Sequence, residues 1–364
     1  FRHGFSLLFF YMNDKLIWQS ITKKIKIWGH DLGFDEIGIS DINLNHSKKA
    51  YADWIKAGFH GEMNYLKKHQ ELKFNPTQLL PKTLTVISVR LNYFPQKENT
   101  LKLLQDKSKA YISRYTLGRD YHKVIRNKLK KLSQKLKEEL KDISFDSRVF
   151  TDSAPVLEVE IAEKDGLGWR GKHTLLLNKD NGSWFFLGEI YTSLPLVVDE
   201  KKLNHCGSCS ACIDICPTKA IIAPYKLDAN RCISYLTIEF KGSIPVEFRK
   251  PIGNRIYGCD DCQLVCPWNK YGKITKEKDF NTRHNLNDLS LIDSFKISEQ
   301  EFKRVFNGSA ILRIGYNQWL RNIAISLGNS PKSEKVIEAL QSRLKNTTEL
   351  VKEHILWAIK QHQN

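Results

Sequence analysis

Eight cysteines lie between residues 206 and 266, and the remainder of the 364-residue chain holds none. The first four, at 206, 209, 212 and 216, read C-x2-C-x2-C-x3-C-P. In that run three thiolates hold corners of one 4Fe-4S cubane and the fourth cysteine ligates a second cubane. The last three, in CDDCQLVCP, repeat the second half of the run, with Ile256 standing where its first cysteine would be. Cys232 is the thiol left to replace it. Crossing the fourth ligand of each run gives Cys206, Cys209, Cys212 and Cys266 for one cluster, and Cys259, Cys262, Cys216 and Cys232 for the other. Pro217 and Pro267 fit this pattern, because a proline ends the local helix and lets the preceding thiolate turn toward the neighbouring cluster. Tetrahedral zinc on paired C-x2-C units is the alternative, but three cysteines at successive spacings of three suit it poorly. Secreted disulfides suit the pattern still less. Two cubanes close together form an electron relay and imply a reducing, cytoplasmic compartment.

A bare ferredoxin needs little more than this segment, yet about 200 residues precede the clusters and about 100 follow. More than one domain is expected at this length. The balance of 57 Lys+Arg against 40 Asp+Glu, a formal +17, favours an anionic partner, because neutralising phosphates releases condensed counterions. A solvated basic surface is the plainer reading. No apolar run reaches the ~18 residues of a membrane span. The run FSLLFFYM at 5–12 is too short and has no small-residue cleavage site after it, so neither a span nor a secretory signal is expected. Residues 1–11 precede the first methionine, Met12, and are left out of the fold reading.

The stretch GLGWRGKH at 166–173 matches G-x-G-x-x-G and nearly matches a P-loop. Both motifs require a strand before and a helix after. Here APVLEVEIAEKD has helical spacing and KHTLLLN looks like a strand, so the order is reversed and only a tight glycine turn near a flat ligand survives. The C-x3-C-x2-C of radical S-adenosylmethionine chemistry is absent. Strands are expected at 83–94, 147–151, 173–178 and 183–188, and a helix over 121–142 with Val124, Leu129, Leu132, Leu136 and Leu140 on one face. Asp152 follows the strand SRVFT, at a strand end of the kind where α/β sheets place ligands; on position alone it reads as a helix N-cap.

The runs GFHGEMNYL, NPTQLLP, SRYTLGRDYHKVI, TDSAPVLEVEIAEKDGLGWRGKHTLLLN and IGNRIYGCDDCQLVCPWNK, with the cysteine pattern, resemble the epoxyqueuosine reductases. The resemblance runs from Met12 to the C-terminus. It implies a cytoplasmic enzyme that reduces epoxyqueuosine at the tRNA wobble position to queuosine, with cobalamin fed by two 4Fe-4S clusters. It also implies a mixed α+β or α/β multidomain fold: a cobalamin domain at 12–195, a ferredoxin-like domain at 196–275 and a HEAT-like helical tRNA-binding domain at 276–364. The family's general acid, an aspartate in the segment matching TDSAPVLE, carries over to Asp152, which must hold its proton to donate it; burial beside a corrin would raise its pKa. Segments that hold the cofactor in the family carry over to Asn75, Tyr115, Asp152, Lys172, Leu176, Ser234 and Asp260. No D-x-H-x-x-G is present, which favours cobalamin bound base-off. His173 and His205 read as packed residues before they read as metal ligands.

Three helical patterns fill the C-terminal part: 310–329, 333–345 and 349–361, with Val336, Leu340 and Leu344 able to pack on Ile355 and Ile359. Arg313, Tyr316, Asn317, Arg321 and Asn322 combine phosphate-binding charge with an aromatic able to stack on a base, and are the expected tRNA contacts. The expected partners are tRNA and an external electron donor of flavodoxin or ferredoxin type, the protein acting as a monomer away from membranes. A corrinoid reductive dehalogenase-like enzyme acting on a small molecule is the alternative activity. A non-catalytic electron carrier is a third reading, and it leaves DSAPVLE without a purpose.

Overall fold

The structure, a computed structural model, describes residues 2–94 and 100–363, with side chains described from residue 15 onward. The side chains of residues 1–11 and of the apolar run at 5–12 fall, apart from backbone, outside the described residues. Among the described residues no helix is long and apolar enough to cross a membrane.

Four strands, β1 (Glu36–Asp41), β2 (Thr85–Asn92), β3 (Ser147–Phe150) and β4 (Phe185–Thr192), form one sheet in the order β1-β2-β4-β3. Every neighbouring pair is antiparallel. The fold is therefore α+β in this part, and the α/β expectation is corrected: no row of parallel strand ends exists here for Asp152 to stand beside. β1 is an addition to the expected strands, and of 173–178 only Leu176–Leu177 forms a strand, paired with Trp169–Arg170, while Asn178 bridges Gly182.

The helices that matter below are α1 (Arg2–Asp31), α2 (Tyr121–Glu139), α3 (Glu158–Lys164), α4 (Ala211–Ile215), α5 (Ile233–Ile238), α6 (Asp261–Leu264), α7 (Gly315–Gly328), α8 (Glu334–Arg343) and α9 (Glu349–Gln363). α2 forms because Val124, Ile125, Leu129, Leu132 and Leu136 recur on one face and Asp120 caps its first turn, accepting from the His122 amide at 3.1 Å. That face shares a core with α1 and with Ile87, Val89 and Ile190 of the sheet. Gly188 permits the approach, since a Cβ there would lie 2.7 Å from Ile125. α3 covers the opposite face, where Ile161 meets Val86, Phe150 and Tyr191.

α7, α8 and α9 bury a common core in which Val336 and Leu340 join Ile355 and Ile359, with Leu344 packed against it. Ala110, Ile112 and Leu117 belong to the same core, and Tyr111–Ile112 pairs in parallel with Arg255–Tyr257. Part of the first expected unit is thus threaded through the last.

α7 also grips the cysteine-bearing segment, and here two expected tRNA contacts are corrected. Arg321 and Asn322 are 0% exposed. Arg321 donates to the carbonyls of Phe240 (2.7 Å), Gly242 (2.9 Å) and Leu236 (2.7 Å). Asn322 donates to those of Thr237 and Ile256 at 2.8 and 2.9 Å. These carbonyls leave no regular ladder to satisfy them, so the side chains do. His354 of α9 accepts from the Ile244 amide at 3.2 Å, and Asn329 donates to the carbonyls of Arg249 and Gly253.

The glycine turn is corrected as well. A Cβ on Gly166 would lie 2.3 Å from the Glu200 carbonyl oxygen, and one on Gly168 2.1 Å from that of Leu177. These glycines let backbone pack on backbone, and neither lines the cavity described next.

Candidate active site

A cavity of about 420 Å³ opens between the sheet and the cysteine segment. Its walls include Cys216, Cys232, Cys259 and Cys262, whereas Cys206, Cys209, Cys212 and Cys266 stand away from it. This is the division of thiols that the crossed ligand pattern implies. Cys212 and Cys266 each feel Cys206 and Cys209, while Cys262 feels Cys232 and Cys216 and also Cys212, so the two groups stand close together. Cys209 of the outer group is exposed. Burial pushes the thiols of Cys259 and Cys262 well above their ordinary range, so a cationic iron centre is what would draw thiolates there. Among the described residues no three His, Cys, Asp or Glu side chains converge on a single metal ion, whereas a cubane spreads its four ligands over separate irons.

The second cysteine run is pinned to the sheet domain. Gln263 donates to the carbonyl and hydroxyl of Ser183, and the side-chain Oδ1 of Asn269 accepts from the Ser183 amide at 2.6 Å. Asp260 accepts from Tyr111 Oη (2.7 Å), Ser113 Oγ (2.5 Å) and the Arg114 amide (2.9 Å). Its carboxylate is therefore spent on scaffolding, although the residue lines the cavity.

Asp152 sits on the facing wall at φ +53°, outside any helix, since α3 starts at Glu158 with Leu157 as its N-cap. The N-cap reading is corrected: the carboxylate accepts from Tyr121 Oη and from His122 Nε2 at 2.9 Å instead. Nδ1 of His122 bonds Asp120 at 2.7 Å. About half of the Asp152 side-chain surface (48%) is accessible, but onto the recessed cavity. Burial there disfavours its charge, yet the bonds from His122 and Tyr121 and the charge of Arg313 hold its pKa below the ordinary value. The expected raised pKa is thereby corrected. Burial alone would lower His122, but its bonds to Asp120 and Asp152 bring it up to about 9. At neutral pH the proton of this pair is on the imidazole.

Of the remaining expected cofactor contacts, Tyr115, Leu176 and Ser234 line the cavity. Asn75 and Lys172 do not. Asn75 donates to the Glu71 carbonyl at 2.9 Å, and Lys172 Nζ to the carbonyls of Gly207 (2.7 Å) and Cys209 (2.8 Å), so Lys172 braces the outer cysteine loop. Arg313 and Asn317 are exposed, and Arg313 lies close enough to Asp152 to act on its charge. Tyr316 is half-buried with its hydroxyl donating to the Ile297 carbonyl. His205 meets the rings of Trp169 and Trp268 at centroid distances of 5.0 and 5.7 Å and is otherwise exposed.

Sequence reasoning misses His122, Tyr121 and Glu158. The signal was an Asp-Tyr-His run opening α2, where a cap and two side chains leave on one side of the helix start. His173 is also more than a packed residue. It is 4% exposed, its Nδ1 accepts from the Leu175 amide at 3.1 Å, and Nε2, on the cavity wall, meets no partner among the described residues. Burial lowers it to about 4, so it is neutral and carries its proton on Nε2. A free N–H donor there suits the amide or carbonyl edge of a large neutral ligand and does not suit metal ligation.

Residues 73–153 match the family described as Epoxyqueuosine reductase QueG, DUF1730, and residues 205–269 match the 4Fe-4S double cluster binding domain. The epoxyqueuosine reductase of Vibrio cholerae is 50% identical over 94% of this chain and 92% of its own length. A Bacillus subtilis epoxyqueuosine reductase, solved with its catalytic loop swung out of the active site, superposes with a TM-score of 0.84 at 28% identity, covering 94% of this chain and 90% of that one. Another, solved with an epoxyqueuosine-modified tRNA-Tyr stem loop, gives 0.81 at 26% identity over 95% and 99%. This chain belongs to the epoxyqueuosine reductase family.

Proposed function

We propose that this chain reduces epoxyqueuosine to queuosine at the wobble position of tRNA, with cobalamin held in the cavity. The observation that carries the reading is one cavity with two opposed walls: a proton-bearing Asp152–His122 pair on one, and the four thiols of the inner cluster on the other. Bound there, cobalamin supplies a low-valent metal centre that can be charged one electron at a time. Tyr115, Leu176 and Ser234 would bound it, and the free Nε2–H of His173 would hold a polar group at its rim. With that nitrogen protonated and Nδ1 accepting from the Leu175 amide, His173 would offer no nitrogen to the metal. Cys209, at the surface, marks the side on which a flavodoxin or ferredoxin type donor would deliver electrons.

Asp152 faces the cavity and His122 stands behind it, its two ring nitrogens on Asp120 and Asp152, so the proton that His122 holds reaches the departing oxygen through Asp152; together they act as the general acid. The domain division at 12–195, 196–275 and 276–364 is part of the reading, as is tRNA held by the HEAT-like helices with Arg313 and Asn317 at the mouth. The test is reconstitution with iron, sulfide and cobalamin, followed by a reductant and nucleoside analysis of epoxyqueuosine-containing tRNA. Queuosine is expected; unchanged tRNA with both clusters and cobalamin bound would refute the assignment.

A further inference from the structure

Beneath Asp152 lies a group of buried acids that the reaction as derived leaves unused. Glu158, in the first turn of α3, lines the cavity, and its Oε1 accepts from the Asp152 amide at 2.5 Å. Glu189 of β4 is 0% exposed and lies on the sheet face that α3 covers. Its carboxyl faces that of Glu158, and neither of its oxygens meets any other donor among the described residues. The strand register continues the row, pairing Glu189 with Ser88 and Ser88 with Gly38. Asp165 stands over Gly38, where a Cβ would come within 2.6 Å of its carboxyl.

Two carboxylates in contact, one of them fully buried with no other donor, do not both ionise, so the pair retains a proton. Burial, reinforced by Asp152, pushes Glu158 up to about 8, and burial beside Glu158, Asp165 and Asp152 drives Glu189 well above its ordinary range. The cations facing Glu158 are His122 and Lys73, and Tyr191 is the further titratable group facing both acids.

The proton count of the proposed reduction gives this pair a purpose. Turning an epoxide into an alkene breaks both C–O bonds, forms one C=C bond and releases the oxygen as water. Two electrons enter from the external one-electron donor, and two protons must enter with them. The His122–Asp152 pair holds one. We propose that Glu158 and Glu189 store the second proton, Glu158 delivering it at the cavity wall to the Asp152 site and Glu189 acting through Glu158. The pair refills from solvent when the product leaves. The inference rests on the reduction proposed above.

Infrared difference spectroscopy of the holoenzyme across neutral to alkaline pH reads the carboxylic C=O stretch directly and needs no turnover. A protonated carboxyl band is expected at neutral pH, with a component that bleaches as pH rises through about 8; Glu158→Gln should remove that component and leave the absorption of Glu189. Glu189→Gln should move the bleach to lower pH, because its amide N–H stabilises the Glu158 carboxylate. Glu158→Gln keeps an oxygen for the Asp152 amide, so KM for tRNA should hold while kcat drops about 10-fold or more. In Glu189→Gln the alkaline limb of kcat should shift downward by about one pH unit. Absence of the band in the wild type, or a wild-type kcat and alkaline limb in both variants, would overturn the proposal. A band that behaves as stated, in protein that forms no queuosine, would condemn the assigned reduction and leave the stored proton standing.

Discussion

Asp152 is held ionised by Tyr121 and His122, so the proposed acid is a pair whose proton rests on the imidazole. Asp152→Asn should leave clusters and cobalamin spectra unchanged and lower kcat by about 100-fold or more, read as queuosine formed per enzyme. His122→Phe keeps the ring stacked on Tyr121 and removes the imidazolium. Asp152 must then carry the proton itself, so activity should fall at neutral pH and recover as pH is lowered, the alkaline loss setting in well below that of the wild type, whose imidazolium is lost only as pH rises through about 9. The aspartate was legible through the family likeness. The seat of the proton was not, because it depends on Asp120, His122 and Asp152 meeting across a helix start and a loop that the chain keeps some thirty residues apart.

At the scale of elements, α7 shows how a correctly expected helix can carry wrongly expected side chains. Arg321 and Asn322 look like surface residues between Leu320 and Ile323, yet they turn inward because the backbone around α5 offers carbonyls with no ladder. Arg321→Ala should destabilise the protein by roughly 3 kcal/mol or more, since three bonds to a charged donor go and a fully buried void remains. Thermal unfolding and iron content would both register it. Arg313→Ala, on the exposed turn before α7, should leave the melting temperature in place and lower the salt slope of tRNA binding by about one. α2 and α9 were readable because apolar spacing alone decides them. β1 was missed because its EIGISD carries little apolar signal of its own and owes its burial to β2, α1 and α3.

Across the whole molecule, two cysteine groups are set at different depths, the inner at the cavity and the outer with Cys209 exposed. Cys209→Ser should lower bound iron toward half and slow turnover driven by a protein donor, while the inner cluster persists by electron paramagnetic resonance. The proposed pairing of thiols came from their spacing and from eight making two sets of four without remainder, and the cavity lining is consistent with it. The threading of 110–117 through the C-terminal core was not, as it is a long-range packing event without a local sign. The grip of α7 on the backbone around Cys232 has a further consequence for how the protein is made. A ribosome emits every cysteine before it emits the helix beginning at Gly315, so iron offered to a half-finished chain meets a seat that has not yet taken shape. Assembly of the inner centre must wait for translation to pass that helix, and a nascent chain stalled short of it would leave its thiols open to oxidants.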